Sequence, residues 1–252
     1  MGGAIARGLA KSGKVAAGNI TVCSPNRHRE LDALKSEHPE LHVSTGNEAA
    51  VDGTDVVIVA VKPWLLDEVM SALRPLIDFG RQLIVSIVAG ATLEHLASYG
   101  GGKPCAVFEL IPNTAISIGQ SMTFIASRGA SKEQVEAVCA IFDSLGSTMV
   151  VEERLMPACT ALSSCGIAYV LRYVRAASEG GVELGIKPGQ AVEIMCQTMQ
   201  GAVALLRATG NNPEVEIDKV TTPGGLTIKG LNAMEAHGFT TAVIEGLKAS
   251  MQ

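Results

Sequence analysis

A chain of 252 residues holds enough material for one large domain or two small ones. Apolar residues make up 47% and charged residues 18%, a balance that excludes a disordered chain and favours much buried helix or subunit interface. A formal charge of −5 with scattered basic residues argues against a general nucleic-acid binder, and the sequence shows neither a signal peptide nor an apolar run approaching the roughly 18 residues that span a bilayer.

The first element read is a helix. MGGAIARGLAKSG (1–13) sets Ile5 and Leu9 on one face behind a pair of glycines. Short β-branched runs follow at NITVCS (19–24), DVVIVAV (55–61), QLIVSIVAG (82–90), CAVFEL (105–110), SMTFIA (121–126) and STMVV (147–151). Helical patterns stand between several of them. PWLLDEVMSALRPL places Leu65, Leu66, Val69, Met70 and Leu73 on one face, with Pro63 in its first turn. SKEQVEAVCAIFDSLG offers Ser131 as N-cap and Gly146 as stop. Apolar strands alternating with helices predict a Rossmann-like α/β domain with a parallel sheet over residues 1–150. Beyond it the strand signal ends, and helices over roughly 152–186, 188–209, 213–220 and 223–251 predict an all-helical domain over 151–252.

Cysteines 23, 105, 139, 159, 165 and 196 have no C-x-x-C spacing and read as reduced, mostly buried thiols of a cytoplasmic protein. The histidines form no metal-ligand spacing, so no metal is expected.

Three segments of the first domain bear on a dinucleotide. Met1 and Gly2 can form the tail of the glycine-rich turn that carries a pyrophosphate on a helix nose. About twenty residues on, where an acid would take the ribose 2′-hydroxyl of NAD, the chain has Ser24-Pro25-Asn26-Arg27. Hydroxyl, amide and guanidinium groups suit a 2′-phosphate, so NADPH is expected, with NADH as the alternative; an ordinary turn into a basic helix reads equally well from this segment alone. VAVKP (59–63) puts Lys62-Pro63 at a strand's carboxyl end, where open α/β sheets bind ligands.

The most specific stretch is KVTTPGGLTIKGLNAME (219–235). Thr222 can cap a helix with Pro223 at its first position, leaving amides at Gly225, Leu226 and Thr227 for an anion such as a carboxylate. An ordinary helix start fits the same residues.

This stretch resembles the signature of the pyrroline-5-carboxylate reductase family. So do TALSSCGIAYVLRYVRAASEGGVELGI (160–186), GFTTAVIEGLKAS (238–250), IPNTAISIGQSMT (111–123) and VAVKP, in the family's order and over nearly the whole chain. The resemblance implies hydride transfer from NADPH or NADH to the C=N carbon of 1-pyrroline-5-carboxylate, giving L-proline, the last step of proline biosynthesis. It implies that Thr227 bonds the ring nitrogen, that Gly225 and Leu226 donate to the substrate carboxylate beside Thr222, and that Glu153 is an acid near the substrate amine. On the cofactor side it implies Ser24, Asn26 and Asn47 at the adenosine phosphate, and Ala60, Val61, Lys62, Pro63, Ile87, Val88 and Ala89 along the ribose and nicotinamide. It further implies interleaved helical domains in a homodimer or a larger assembly of dimers.

The sequence departs from the family at several points. Ser163-Ser164-Cys165-Gly166-Ile167-Ala168-Tyr169 stands where Ser-Gly-Ser-Gly-Pro-Ala-Tyr is usual, Ala115 replaces a proline, and Lys219 replaces an amide side chain near the cofactor, where a cation could add phosphate affinity. The family also begins with a strand ending in Gly-Ala-Gly-Asn just before the equivalent of Met1. The expectation is therefore a natural chain about a dozen residues longer, or else a shortened chain with impaired cofactor affinity. Two other functions stay open on sequence: a related NADP-dependent imine or keto-acid reductase, and a catalytically impaired homologue with a regulatory or scaffold role.

Overall fold

The computed structural model describes residues 1–26 and 28–251. They divide into two compact units, Met1–Ser164 and a second that begins at Cys165.

The first unit opens on α1 (Gly2–Ser12), which ends where Gly13 adopts the left-handed conformation. Strand β1 (Thr21–Cys23), α2 (His28–Glu37) and strand β2 (His42–Ser44) follow. Next come β3 (Val56–Val59), α3 (Leu66–Leu73), β4 (Leu83–Ser86), α4 (Leu93–Ser98), β5 (Val107–Ile111), β6 (Ser121–Arg128), α5 (Lys132–Phe142) and β7 (Gly146–Val150). Ser131 caps α5, as its sequence predicts, and the structure completes a capping box with Gln134. Pro63 lies in a 3-10 turn (Pro63–Leu65) just before α3, and Gly146 opens β7.

The strands form two sheets. β1 and β2 pair in parallel, and β3-β4-β5-β6-β7 make a five-stranded sheet. β3, β4 and β5 run parallel, but β6 is antiparallel to β5, so the sheet is mixed and not wholly parallel as the sequence suggests. The short connection from β5 to β6 leaves no room for the crossover a parallel partner needs. The α1 helix serves both sheets. Its Ile5 and Leu9 pack with Phe108, Leu110 and Ile125 of the larger sheet, and Ala6 packs with Leu34 and Leu41 under the smaller. The opposite face of the large sheet is covered by Leu66, Met70, Leu93, Leu96 and Met156. Among the described residues no strand pairs with the edge of β3 away from β4 or the edge of β1 away from β2.

After β7 comes a helical run over Glu153–Glu183: a 3-10 turn (Glu153–Leu155), α6 (Met156–Cys159), a π-helical turn (Thr160–Cys165) and α7 (Gly166–Glu183). By length and composition this run could cross a bilayer, whereas the sequence reading finds no such stretch. The π-turn is fastened within the first unit. Asn113 Nδ2 donates to Ser163 Oγ at 3.1 Å, and Ser164 Oγ donates to the Pro112 carbonyl at 2.8 Å.

The second unit contains α7 with α8 (Pro188–Thr209), α9 (Pro213–Val220), α10 (Leu226–Ala236) and α11 (Phe239–Ala249). The last predicted helix is thus two, separated by Gly238 at φ 76°. Few of the unit's described side chains are buried beyond Ser178 and Ala191, where α7 and α8 meet. Leu171, Leu184, Leu205, Val220 and Leu226 all lie open.

Candidate functional site

The cofactor-side candidates gather at the carboxyl ends of the parallel strands. A Cβ added at Gly2 would meet the Ala60 Cβ at 3.0 Å, so the nose of α1 lies tight against the end of β3. Met1 is the N-cap of α1 and no side chain caps it, which leaves first-turn amides open to an anion. Beyond Ala60 the chain runs through Val61 to Lys62, which precedes the 3-10 turn begun by Pro63. Ser24 follows β1, with its amide bonded to the Ser44 carbonyl at 3.2 Å, and Asn26 is exposed in the next turn. Arg27 lies outside the described residues. Asn47 starts a 3-10 turn (Asn47–Ala50) shortly after β2.

Ile87, Val88 and Ala89 leave β4 in a fixed loop. The Ile87 amide donates to the Val59 carbonyl at 3.0 Å and the Val88 amide to Ser86 Oγ at 3.2 Å. The loop ends at α4, whose N-cap Thr92 accepts from the His95 amide. The Leu93 amide donates to Glu153 Oε1 at 2.7 Å. One oxygen of the proposed substrate acid is therefore committed to the start of α4.

Lys219 does not stand free for a phosphate. Its Nζ donates to Glu216 Oε1 at 2.8 Å, an i,i+3 pair on α9.

The Thr-Pro-Gly-Gly segment folds differently from the sequence expectation. Thr222 does not cap a helix and Pro223 is not helical. The Gly225 amide donates to the Thr222 carbonyl at 2.9 Å, closing a turn with proline second and Gly224 third at φ 72°. Only then does α10 begin, with Gly225 as N-cap. The Gly225 amide is thus taken, and the unclaimed amides are those of Leu226 and Thr227 in the first turn of α10. A Cβ on Gly225 would lie 2.5 Å from Thr222 Oγ1 and 3.0 Å from the Thr222 carbonyl oxygen, so a side chain there would force Thr222 to shift.

Three features escape the sequence reading. Trp64, the only tryptophan in the chain, stands 76% exposed next to Pro63, with Lys62 Nζ 6.0 Å from its ring centre. Asp67 on α3 takes hydrogen bonds from Tyr99 and from His95 Nε2, the latter at 2.8 Å, and these hold its carboxyl below the usual range. Glu109, buried in the middle of β5, has its carboxyl pushed up to about 7 by burial and by the charge of Glu153. A single acid in an apolar run gives no periodic signal, so only the fold discloses it. The cysteines also differ from expectation: all six are free, but none is fully buried and Cys196 is exposed. Burial raises the thiols of Cys23, Cys105 and Cys159, which disfavours reactive thiolates there.

Residues 153–252 match the family model described as pyrroline-5-carboxylate reductase dimerisation, and residues 1–90 match NADP oxidoreductase, coenzyme F420-dependent. A pyrroline-5-carboxylate reductase of Synechocystis is 35% identical over 92% of this chain and 85% of its own length. The chain belongs to the pyrroline-5-carboxylate reductase family. Pyrroline-5-carboxylate reductase 1 of Dictyostelium discoideum is 38% identical over 99% of the chain, which spans 47% of that relative's length. The solved pyrroline-5-carboxylate reductase of Coxiella burnetii superposes with a TM-score of 0.89 at 26% identity, covering 99% of this chain and 93% of that one. Among the described residues no group of three or more His, Cys, Asp or Glu is placed to hold a metal ion.

Proposed function

We propose that this reductase-family chain reduces 1-pyrroline-5-carboxylate to L-proline with NADPH, binding the cofactor on the first unit and the substrate carboxylate at the start of α10. The observation that carries the reading is the turn Thr222–Gly225. It presents the unclaimed amides of Leu226 and Thr227 and the Thr227 hydroxyl together at one helix N-terminus.

Within the first unit, the close contact of Gly2 with Ala60 seats the start of α1 against the end of β3, the packing asked of the last glycine of a dinucleotide-binding turn, and the uncapped nose of α1 takes the pyrophosphate. Ser24, Asn26 and Asn47 take the adenosine end, and Arg27 takes part on sequence grounds. Ala60 to Pro63 and Ile87 to Ala89 flank the ribose and nicotinamide. NADPH, when bound, supplies the hydride. The protein's own work is positional. The Leu226 and Thr227 amides hold the carboxylate, and the Thr227 hydroxyl orients the ring nitrogen. The substrate's protonated imine is already an electrophile, so no protein nucleophile is required. Lys219, being paired with Glu216, contributes little to the phosphates.

The open apolar faces of the second unit support a dimer through residues 153–252, with larger assemblies of dimers built on it. The same reading gives the apolar run Glu153–Glu183 to a partner subunit and not to a bilayer. Free cysteines in every position fit a cytoplasmic protein.

The test is NADPH consumption followed by nicotinamide absorbance, with and without the imine. Turnover to proline supports the proposal. Tight NADPH binding with no turnover on the imine, but turnover on another carboxylated imine or a keto acid, would replace the substrate.

A further inference from the structure

Asn113 is engaged at its amide, its carbonyl and both ends of its side chain. It follows Pro112 at the carboxyl end of β5 and is the N-cap of a 3-10 turn (Thr114–Ile118). Its Oδ1 accepts from the Ala115 amide at 3.0 Å, and its Nδ2 donates to Ser163 Oγ at 3.1 Å. Its own amide donates to Ser121 Oγ at 3.2 Å, and its carbonyl accepts from the Ile116 amide at 3.2 Å. Ser121 Oγ lies 3.0 Å from Thr123 Oγ1, and both residues are buried. Ser164 Oγ makes a second bond to the same segment, donating to the Pro112 carbonyl at 2.8 Å.

Two consecutive residues of one helical stretch thus reach the same two residues of a loop. In an α-helix, neighbours point about 100° apart and do not face one partner. Ser163 and Ser164 lie in the π-helical turn Thr160–Cys165, whose wider i→i+5 turn narrows that angle. The π form and the two bonds therefore sustain one another. Two of the chain's departures from the family pattern supply donors to this clasp. A proline at 115 has no amide to offer Asn113 Oδ1, and a glycine at 164 has no hydroxyl to offer Pro112. The clasp also adjoins the proposed cofactor loops. Ser86 of β4 and Glu109 of β5 pair in register. Two residues on from each, Val88 and Ile111 share one apolar cluster with Met156 and Cys159, which stand just ahead of the π-turn.

We propose that Asn113 is a positioning residue: oriented by the Ala115 amide, it locks the π-turn onto the carboxyl end of β5 through Ser163, with Ser164 as the second hook, and so keeps the apolar seat of Val88 rigid. Ile87, Val88 and Ala89 are assigned to the nicotinamide, so the clasp governs how the reacting ring is presented and not how tightly the adenosine end is held. That last step rests on the proposed function.

Asn113→Ser is the deciding variant, since serine still caps the 3-10 turn but is too short to reach Ser163. In the intact chain, amide hydrogen exchange across residues 160–165 should quicken several-fold in Asn113→Ser and in Ser163→Ala. The double variant should exchange no faster than the faster single, because both changes remove the same bond, whereas unrelated losses of packing would add. With the imine as substrate, kcat should fall about tenfold in Asn113→Ser while the NADPH dissociation constant changes by less than about twofold. Ala115→Pro combined with Ser164→Ala, which removes the other two donors, should show the same split. Unchanged exchange in Asn113→Ser, additive effects of Asn113→Ser and Ser163→Ala, an unmoved kcat, or a loss of NADPH affinity equal to the loss of kcat would overturn the proposal. Exchange that follows the cycle in a chain that reduces no imine upholds the clasp and places the failure in the proposed function.

Discussion

At the scale of single residues the most informative position is Thr227. It is exposed at the second position of α10, with its own amide unclaimed. On the proposed substrate site, replacing it by alanine removes the donor assigned to the reacting ring, so turnover should fall by roughly 10- to 100-fold. NADPH affinity, measured separately by titration, should change by less than about twofold, since no cofactor contact is lost. Asn26→Asp should act in the opposite sense. If Asn26 lies at the adenosine end as proposed, an acid there repels a 2′-phosphate and accepts a 2′-hydroxyl, so the ratio of NADPH to NADH affinity should drop by about tenfold or more. Glu109 yields a stability prediction with a definite sign. Its folded value of about 7 lies above the ordinary 4.5, so the folded chain keeps a proton that the unfolded chain releases. This contribution to stability is fully present below the ordinary value, declines as pH rises toward 7 and is gone above it. Thermal denaturation should show that decline in the wild type, and Glu109→Gln should lack it.

At the scale of elements, what the sequence reveals is local chemistry. The N-cap of α5 is readable because the Ser131 hydroxyl can accept from an amide three residues on, here that of Gln134; the reciprocal half of the capping box shows only in the structure. The β-branched runs of β3, β4 and β5 are readable because both faces are covered. β2 is not, since His42-Val43-Ser44 is too short to show a period. The start of α10 misleads for a physical reason: Thr-Pro suits a capped helix, but Gly-Gly also suits a turn with a left-handed glycine, and the turn wins. Gly224→Ala should therefore strain that turn by about 1–2 kcal/mol and weaken substrate binding more than cofactor binding, as a comparison of the two KM values would show. Sheet edges give a second forecast. The Ile20 carbonyl and Ser24 amide point to β2, so by alternation the Thr21 and Cys23 amides point to its open edge. Hydrogen exchange should be faster at Thr21 and Cys23 than at Val22.

At the scale of the whole molecule the two units differ in how they are stabilised. The first has core on both faces of its sheet. The second has almost no closed core among its described residues, and its open side chains include Leu171 on α7 and Leu205 on α8. Helices of this kind reach stability by sharing a core with another copy. Sedimentation at micromolar concentration should give at least a dimer, and Leu171→Glu with Leu205→Asp should shift it toward monomer with loss of helical content. That a helical domain follows an α/β domain is legible in the sequence, through the loss of β-branched runs after Val151. How little of it is buried is not legible, because an apolar helix face reads the same whether it meets its own chain or another.

The lone indole at Trp64 has a practical consequence. Its emission comes from one place only, beside the Lys62-Pro63 bend, so every fluorescence change on adding a nicotinamide dinucleotide reports on that corner alone. Energy transfer to the reduced ring would turn the protein into its own sensor, able to rank phosphorylated and unphosphorylated coenzymes before any imine is added.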